Sequence, residues 1–298
     1  MSSIGSKLKP FFQRLLATLA VISLALSLGC SRSRPAANGA DLARVRQWWI
    51  LIGHANAIES VDWGHHARNA QMVILNDDPR IPLGELPKTT IRLAYLSLGE
   101  ADPQRPYWSQ IRDKSFLVEA NPNWPDNFRV DIRDRRWQEL LLGQEIPRLL
   151  RMGFQGFMLD TLDTAPYLER QDAARFAGSR QALRDLLSLI RRTYPRVLLV
   201  ANGTDSLIEA APFVDGYMVE SVFAIYDFAR HTYRQTTPQE RSWKLAQIDR
   251  AQAIARRPVF TIEYASVGDV ALGQWAEAEA SSRGFRPYVA VKDINTLP

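Results

Sequence analysis

The sequence predicts a single (β/α)8 barrel. Eight short apolar runs suit strands that are buried on both faces, and helical patterns separate most of these runs. The runs lie within roughly 260 residues, which is the usual size of one such barrel. Repeated alternation of strand and helix indicates a parallel sheet. The predicted strands are Trp48–Ile52, Gln71–Leu75, Ile91–Leu98, Gly156–Asp160, Val197–Asn202, Gly216–Glu220, Val259–Tyr264 and Pro287–Val291.

Helical patterns lie between most of the predicted strands. Leucine and isoleucine repeat at helical spacing over residues 183–190, before the fifth strand. Thr237-Pro238-Gln239-Glu240 is a capping box with proline at the first helical position. Between residues 137 and 150 the pattern indicates a helix that is kinked or restarts near Gly143 and Pro147. A doubly wound open sheet is the alternative fold, but no glycine-rich phosphate loop follows the first strand.

The third connection, from about Gly99 to Gly153, is much longer than a bare crossover and contains the run Asn121-Pro122-Asn123-Trp124-Pro125. Long loops after the strands of a barrel usually build the substrate face, so we expect this connection to do so. Because aromatic rings stack on the apolar face of sugars, Trp124 and Tyr226 are predicted to bind substrate. Packing of the loop onto the barrel is the alternative role for Trp124.

The first thirty residues predict an exported, lipid-anchored protein. Lys7, Lys9 and Arg14 precede an uncharged apolar run, Leu15–Gly29, which suits a secretory signal and is short for a transmembrane helix. The run ends in a glycine followed by Cys30, the only cysteine of the chain, as in a bacterial lipoprotein signal. Cys30 is therefore predicted to be lipidated. An ordinary cleaved signal with an incidental cysteine is the alternative.

The predicted organisation has three parts: a lipoprotein-type signal peptide at residues 1–30, a linker at 31–40 and the barrel at 41–298. We expect a monomer in the cell envelope, periplasmic or on the outer surface, held at the membrane by its N-terminal lipid. The chain has 37 basic and 32 acidic residues, and without the three basic residues of the signal the balance is 34 to 32. That near balance gives no case for nucleic-acid binding.

Two of the predicted strands end in a carboxylate. Asp160 closes the fourth strand and Glu220 closes the sixth, each after an apolar run. The carboxyl ends of parallel strands form the floor of the active site, and paired carboxylates are what glycosidic-bond hydrolysis requires. Burying a carboxylate costs several kcal/mol unless it is paired or used, so we predict that both are catalytic. A helix cap or structural ion pair is the alternative, and Glu100 and Glu263 are predicted to contact the substrate or support the site.

The sequence lacks the residues that metal-dependent, acyl-transfer and nucleotide-dependent reactions require. The four histidines are His54, the adjacent pair His65 and His66, and His231, and none has metal-ligand spacing. The sequence has no Gly-x-Ser-x-Gly nucleophile elbow, no usable cysteine nucleophile and no Walker-type loop. We therefore expect carboxylate chemistry with no metal and no cofactor.

Four motifs, in order along the chain, resemble glycoside hydrolase family 114, whose members are (β/α)8 barrels similar to endo-α-1,4-polygalactosaminidase. They are Leu96-Ser97-Leu98-Gly99-Glu100, Asn121-Pro122-Asn123-Trp124-Pro125, Val130-Asp131-Ile132-Arg133-Asp134, and the run from Gly153 to Asp163. The hydrolase domain of the Pel polysaccharide system is a relative of this family. The resemblance covers most of the chain, from about residue 48 to residue 293.

The resemblance implies cleavage of α-1,4-linked galactosamine or N-acetylgalactosamine polymers with retention of configuration. The family's nucleophile falls on Asp160 and its acid/base on Glu220. The residues that would line the sugar subsite are Asp77, Glu100, Asn202 and Tyr264. The first strand departs from the family pattern, because a tyrosine-rich start is expected and the chain has Trp48-Trp49-Ile50-Leu51-Ile52-Gly53-His54. The role of His54 is therefore open.

The leading hypothesis is a lipid-anchored endo-glycosidase with a polysaccharide substrate. A retaining mechanism requires carboxyl groups about 5–5.5 Å apart, whereas inversion requires roughly 6.5–9.5 Å. Two alternatives stay open at this stage: a barrel that binds an envelope glycan without cutting it, and a structural lipoprotein whose long loop contacts a partner protein.

Overall fold

The computed structural model describes residues 39–53, 61–66 and 68–295. Each of the eight predicted strands is present, and no strand end differs from its prediction by more than one residue. In chain order the strands are β1 (Trp48–Leu51), β2 (Met72–Leu75), β3 (Ile91–Ser97), β4 (Glu100–Ala101), β5 (Leu117–Asn121), β6 (Trp124–Val130), β7 (Gly156–Asp160), β8 (Leu198–Asn202), β9 (Gly216–Glu220), β10 (Ala224–Asp227), β11 (Thr232–Gln235), β12 (Val259–Tyr264) and β13 (Arg286–Ala290).

Eight of these strands form one parallel sheet in the order β1-β2-β3-β7-β8-β9-β12-β13, which follows the chain without reversal. The two outer strands of this sheet meet. The Trp48 indole N–H donates to the Arg286 carbonyl at 3.2 Å, and the Ile52 and Gly53 amides donate to the Ile294 carbonyl at 3.2 and 3.1 Å. The sheet is therefore a nearly closed barrel. This confirms the predicted fold class, and the open doubly wound alternative is wrong.

One helix precedes β1, and the other helices of the described residues lie between the barrel strands. They are α1 (Gly39–Arg44), α2 (Trp63–His66), α3 (Trp108–Ile111), α4 (Arg135–Leu140), α5 (Ile146–Met152), α6 (Thr164–Gln171), α7 (Ala173–Phe176), α8 (Ser179–Thr193), α9 (Leu207–Ala210), α10 (Pro238–Ile254) and α11 (Val270–Ser282). A π-helical turn, Leu141–Glu145, joins α4 to α5, which is the interruption predicted near Gly143 and Pro147. The predicted capping box is present, since the Thr237 hydroxyl accepts from the Glu240 amide and Glu240 accepts from the Thr237 amide.

The strands and helices bury a continuous apolar core. All four residues of β1 and of β2 are buried, as the uninterrupted apolar runs predict for strands covered on both faces. On α8, the buried positions Leu183, Leu186, Leu187 and Ile190 form the stripe that its spacing predicts. This packing fixes the carboxyl ends of the strands, where the polar side chains lie.

Two insertions extend that end of the barrel. After β3, the strands β4, β6 and β5 form a small antiparallel sheet, and after β9 the strands β10 and β11 form a hairpin. The sequence did not predict these five strands, whose residues are mostly exposed or half-buried.

The predicted signal peptide, Cys30 and His54 lie outside the described residues, so the boundaries predicted for the three parts of the chain stay predictions. Within the part that the structure describes, no helix is both long and apolar enough to cross a membrane.

Candidate active site

One amide joins the two predicted catalytic carboxylates. Asp160, Asn202 and Glu220 are the last residues of the neighbouring strands β7, β8 and β9. The Asn202 side-chain nitrogen donates to Asp160 Oδ1 at 2.8 Å and to Glu220 Oε1 at 2.6 Å. These two oxygens can therefore be no farther apart than 5.4 Å, the sum of the two distances. Because an amide nitrogen has two hydrogens, it can donate one to each carboxylate.

Two tyrosines donate to the remaining oxygens of the pair. The Tyr95 hydroxyl, from β3, donates to Asp160 Oδ2 at 2.8 Å, and the Tyr264 hydroxyl, from the end of β12, donates to Glu220 Oε2 at 2.5 Å. Burial, followed by the adjacent carboxylate charge, raises the pKa of both tyrosines well above its ordinary value. Both phenols therefore stay protonated and act as donors. Five neighbouring strands thus contribute one residue each to a continuous hydrogen-bonded chain, which we call the Tyr95–Tyr264 chain.

The pair is electrostatically coupled. The pKa of Asp160 is raised from 3.8 to about 7. Burial is the largest cause, and the charge of Glu220 is the second. Two carboxylates this close do not readily ionise together, so the pair favours a state with one shared proton. One proton shared by two carboxyl groups is the state that a general acid and a nucleophile need.

A left-handed residue follows each carboxylate. Thr161 has φ 59° and Ser221 has φ 58°, a region that residues other than glycine rarely adopt. The Thr161 hydroxyl is held by the Gly99 amide at 2.8 Å and the Ser97 hydroxyl at 2.7 Å. At Gly99 a Cβ would lie 2.2 Å from the Thr161 carbonyl oxygen, so this close approach requires glycine. The chain therefore turns sharply immediately after both carboxylates.

The pair lies at a cleft of about 570 Å³. Ten of its lining residues, between Glu100 and Asn127, come from the long third connection, as the sequence predicts. Acidic residues outnumber basic ones at its surface. The acidic lining residues are Glu100, Asp102, Asp126, Asp160, Glu220 and Asp293, and the basic ones are Arg105 and Lys292.

Glu100 and Trp124 line this cleft, and their contact with substrate stays a prediction. Glu100 accepts from the Asn121 amide nitrogen at 2.9 Å, and burial is the main cause of its raised pKa. Trp124 is 41% exposed at the rim, and its ring packs edge-on against Phe228. Tyr226 is not among the lining residues, because it packs in the β10–β11 hairpin against Phe228 and Tyr233.

Asp77 and Glu263 require a correction, since neither lines the cleft. The Asp77 carboxylate accepts from the guanidinium groups of Arg105 and Arg148. Glu263 is fully buried and accepts from the backbone amides of Phe223 and Ala224 at 2.8 and 2.9 Å. Their partners come from distant parts of the chain, so no local feature of the sequence indicates them. In this structure Asp77 binds two guanidinium groups and Glu263 binds two backbone amides.

The sequence reasoning missed three residues of this region: Tyr95, Arg105 and Lys244. Tyr95 lies two residues before the end of β3, where its side chain reaches across to Asp160. Arg105 lines the cleft, and Lys244 donates from α10 to the backbone carbonyls of Glu220 and Ser221. The alternation of side chains along β3 could have indicated Tyr95, whereas no local signal marks the other two.

Residues 75–297, more than half of the chain, match the family model for glycoside-hydrolase family GH114. The chain belongs to this family. Membership confirms the resemblance and makes the barrel a glycoside-hydrolase domain. The matched range begins at the end of β2, so it leaves out the first strand, where the sequence departs from the expected pattern. Among the described residues, no cluster of three or more side chains is suited to hold a metal ion.

Curated proteins from other organisms are similar in sequence to part of this chain. A protein of Deinococcus radiodurans with no characterised activity is 29% identical over 210 residues, which are 69% of this chain and 65% of that protein. A similar protein of Thermotoga maritima is 22% identical over 223 residues, 68% of this chain and 66% of that protein. The matched region thus spans slightly less than two thirds of each relative.

Two solved structures have the same fold. The glycoside hydrolase domain of PelA from Pseudomonas aeruginosa superposes with a TM-score of 0.67 at 22% identity, covering 85% of this chain and 97% of that domain. Ega3 of Aspergillus fumigatus, solved in complex with galactosamine, gives a TM-score of 0.61 at 15% identity, covering 91% and 98%. At these identities the likeness establishes the barrel and leaves the substrate to be argued from the site.

Proposed function

We propose that this GH114 protein is an endo-glycosidase that hydrolyses α-1,4-linked galactosamine or N-acetylgalactosamine polysaccharide with retention of configuration. The observation that carries the proposal is the shared amide of Asn202, which limits the facing oxygens of Asp160 and Glu220 to 5.4 Å or less. Retaining enzymes need carboxyl groups about 5–5.5 Å apart, and inverting enzymes need roughly 6.5–9.5 Å to fit a water molecule. The short separation supports direct attack by one carboxylate.

The reaction would proceed in two steps. In the first, an Asp160 oxygen attacks the anomeric carbon while the glycosidic bond breaks, and Glu220 gives its proton to the leaving oxygen. In the second, ionised Glu220 takes a proton from water, and that water attacks the anomeric carbon and releases Asp160. The first step requires one ionised carboxylate that attacks and one protonated carboxyl that donates, and Asp160 and Glu220 together would supply them.

The geometry around the two carboxyl groups is symmetric, because each accepts one bond from Asn202 and one from a tyrosine. The raised pKa of Asp160 describes the site without substrate and by itself would favour Asp160 as the proton carrier. The assignment of Asp160 as nucleophile and Glu220 as acid/base therefore rests on the family resemblance. It is tested separately below.

The charge of the cleft supports an amino sugar as substrate. Six carboxyl groups and two basic groups line the cleft, so a polymer that carries free ammonium groups would be attracted to it. Asp126 lies exposed at the tip of the third connection and has no ion pair among the described residues. The galactosamine bound by Ega3 is consistent with this substrate class.

The location of the protein is part of the proposal. The apolar run that ends in Gly29 and Cys30 supports export and attachment to a bacterial membrane through a lipid on Cys30. We expect the anchored barrel to act as a monomer on polysaccharide in the cell envelope.

The decisive experiment is to incubate the protein with purified galactosamine-containing polysaccharide and to measure new reducing ends. We expect the wild type to cut internally, and Asp160→Asn and Glu220→Gln to lose at least about 10³-fold in rate, since each removes a group that takes part in the reaction. Matched controls are Asp185→Asn and Glu277→Gln, which make the same chemical changes at exposed positions on α8 and α11.

Two results would overturn the proposal. If both site variants cut at the wild-type rate, the two carboxylates are not catalytic. If the wild type retains the polymer and releases no reducing ends, the barrel is a glycan-binding module.

A further inference from the structure

The loop that follows Glu220 is held from two sides by two ionisable side chains, the half-buried Lys244 and the buried Glu263. The Lys244 ammonium, on α10, donates to the Glu220 carbonyl at 2.9 Å and to the Ser221 carbonyl at 2.8 Å. The Glu263 carboxylate, on β12, accepts from the Phe223 and Ala224 amides. We call this arrangement of Lys244 and Glu263 around residues 220–224 the loop clamp.

The loop clamp surrounds a residue with a strained backbone. Ser221 has φ 58°, and a residue held in this left-handed region costs on the order of 1–3 kcal/mol unless its surroundings enforce it. The Ser221 amide donates to the Ile262 carbonyl at 2.7 Å, and Lys244 binds the Ser221 carbonyl. Both backbone groups of the strained residue are thus fixed by neighbouring elements.

The Lys244 amine is itself costly to bury. Burial is the largest cause of its lowered pKa, and the carboxylates of Glu263, Glu220, Glu240 and Asp163 act in the opposite direction. A buried amine is rarely retained unless its donors are used. Its two described hydrogen bonds go to backbone carbonyls, and one of these belongs to the proposed acid/base residue.

We propose that Lys244 is a positioning residue for Glu220, acting through the loop clamp. The inference rests on the proposed function, in which the Glu220 carboxyl must reach the leaving oxygen of the glycosidic bond. Lys244 holds the Glu220 and Ser221 carbonyls and so fixes the direction in which the chain leaves β9. The Glu220 side chain then starts from a fixed backbone, and Asn202 and Tyr264 complete its orientation.

The kinetic test uses Lys244→Met, which keeps a long side chain and removes the donors. We expect kcat to fall about 10- to 100-fold, because an ångström-scale misplacement of a catalytic group costs about that much. KM should change less than about threefold, since Lys244 does not line the cleft. Lys244→Arg, which retains a charged donor at that position, should recover kcat to within about tenfold of the wild type.

Leu245→Ala is the matched control, because Leu245 neighbours Lys244 on α10, packs against the core and carries no hydrogen-bond donor on its side chain. It should lower the thermal midpoint and leave kcat within about twofold. The inference is overturned if Lys244→Met keeps kcat within about twofold of the wild type. It is equally overturned if Leu245→Ala lowers kcat by the same factor, or if Lys244→Arg restores nothing.

Hydrogen exchange separates this inference from the proposed function, because it needs no turnover. In Lys244→Met we expect the amides of Ser221, Phe223 and Ala224 to exchange at least about tenfold faster, with β3 and β7 unchanged. If the wild type cuts no polymer but these amides still lose protection, the loop clamp stands and the proposed function fails. If the wild type cuts and these amides keep their protection in Lys244→Met, the positioning role of Lys244 is wrong.

Discussion

Thr161 and Ser221 occupy equivalent positions in the barrel, each directly after a carboxylate that ends a strand, and each has a left-handed backbone. Neither is glycine, although glycine adopts this conformation at the lowest cost. The two residues differ in what holds them. The Thr161 hydroxyl bonds to the Ser97 hydroxyl and the Gly99 amide, whereas the described contacts of Ser221 run through its backbone.

This difference predicts opposite effects of glycine at the two positions. Ser221→Gly relieves the left-handed strain and breaks no described side-chain bond, so we expect the unfolding free energy to rise by about 0.5–1 kcal/mol. Thr161→Gly relieves similar strain but leaves the Gly99 amide without its acceptor, so we expect a loss of about 1–3 kcal/mol. Urea unfolding followed by tryptophan fluorescence measures both. Equal shifts in the same direction would show that the Thr161 hydroxyl bonds contribute nothing.

Asn202 is expected to matter for catalysis although it takes no part in bond making or breaking. Asn202→Ala removes the donor that the two carboxylates share, so their repulsion is no longer offset and their separation is no longer fixed. We expect kcat to fall about 10²-fold, and Asn202→Asp, which adds a third carboxylate, to cost at least as much. Reducing-end kinetics measure this loss, with the exposed Asn69→Ala as control. Retention of kcat within about threefold in Asn202→Ala would contradict the bridging role.

The buried carboxyl of Asp160 makes stability depend on pH in a defined direction. Its pKa is raised from 3.8 to about 7, so the folded protein binds this proton more tightly than the unfolded chain does. The stability that this proton contributes is present below about pH 4 and is lost as the pH rises towards 7. Asp160→Asn removes the ionisation. We therefore expect this inactive variant to be more stable than the wild type by about 1–3 kcal/mol at pH 8.

The comparison is made by urea unfolding at pH 4, 6 and 8, and at pH 4 the two proteins should be nearly equally stable. Glu263 adds to the same slope, because burial raises its pKa from 4.5 to about 7. Glu263→Gln should therefore flatten the dependence further, and Asp185→Asn, at an exposed position, should leave it unchanged. A stability of Asp160→Asn that falls with pH as steeply as that of the wild type contradicts this account of Asp160.

Trp124 is expected to contribute to binding without contributing to the chemical step. It is 41% exposed at the rim of the cleft, where its ring can stack on a sugar. Trp124→Ala should raise KM about 5- to 20-fold and leave kcat within about twofold, because stacking acts equally on substrate and transition state. Phe228→Ala is the control, since Phe228 packs against Trp124 but does not line the cleft. Equal effects of the two variants on KM would place the binding surface on the whole aromatic cluster.

The sequence predicted the barrel and the pairing of the two carboxylates for the same physical reason. A strand buried on both faces reads as an uninterrupted apolar run, and a carboxylate that ends such a run must be paired or used. Asp160, Asn202 and Glu220 could therefore be found by locating strand ends. Tyr264 follows from the same reasoning, since it ends β12.

The parts that could not be predicted depend on contacts between distant segments. Asp77 and Glu263 also lie within two residues of a strand end. The partners of Asp77, however, include a guanidinium 71 residues away, and those of Glu263 include an amide 40 residues away. No local pattern shows whether such a carboxylate faces a cleft or a protein group. Lys244 was missed because nothing in a helix distinguishes a lysine that binds backbone carbonyls from one that faces water.

The roles of Asp160 and Glu220 can be separated by chemical rescue, since the geometry of the pair does not distinguish them. In Asp160→Ala, azide can enter the space of the missing nucleophile and attack an activated aryl α-galactosaminide from that side. Displacement on that face gives the β-azide, with inverted configuration. In Glu220→Ala an activated leaving group needs no protonation, so the glycosyl-enzyme forms, and azide then attacks it to give the α-azide, with retained configuration. The proton NMR coupling of the anomeric hydrogen identifies each product. An α-azide from Asp160→Ala together with a β-azide from Glu220→Ala would show that the two residues have each other's role.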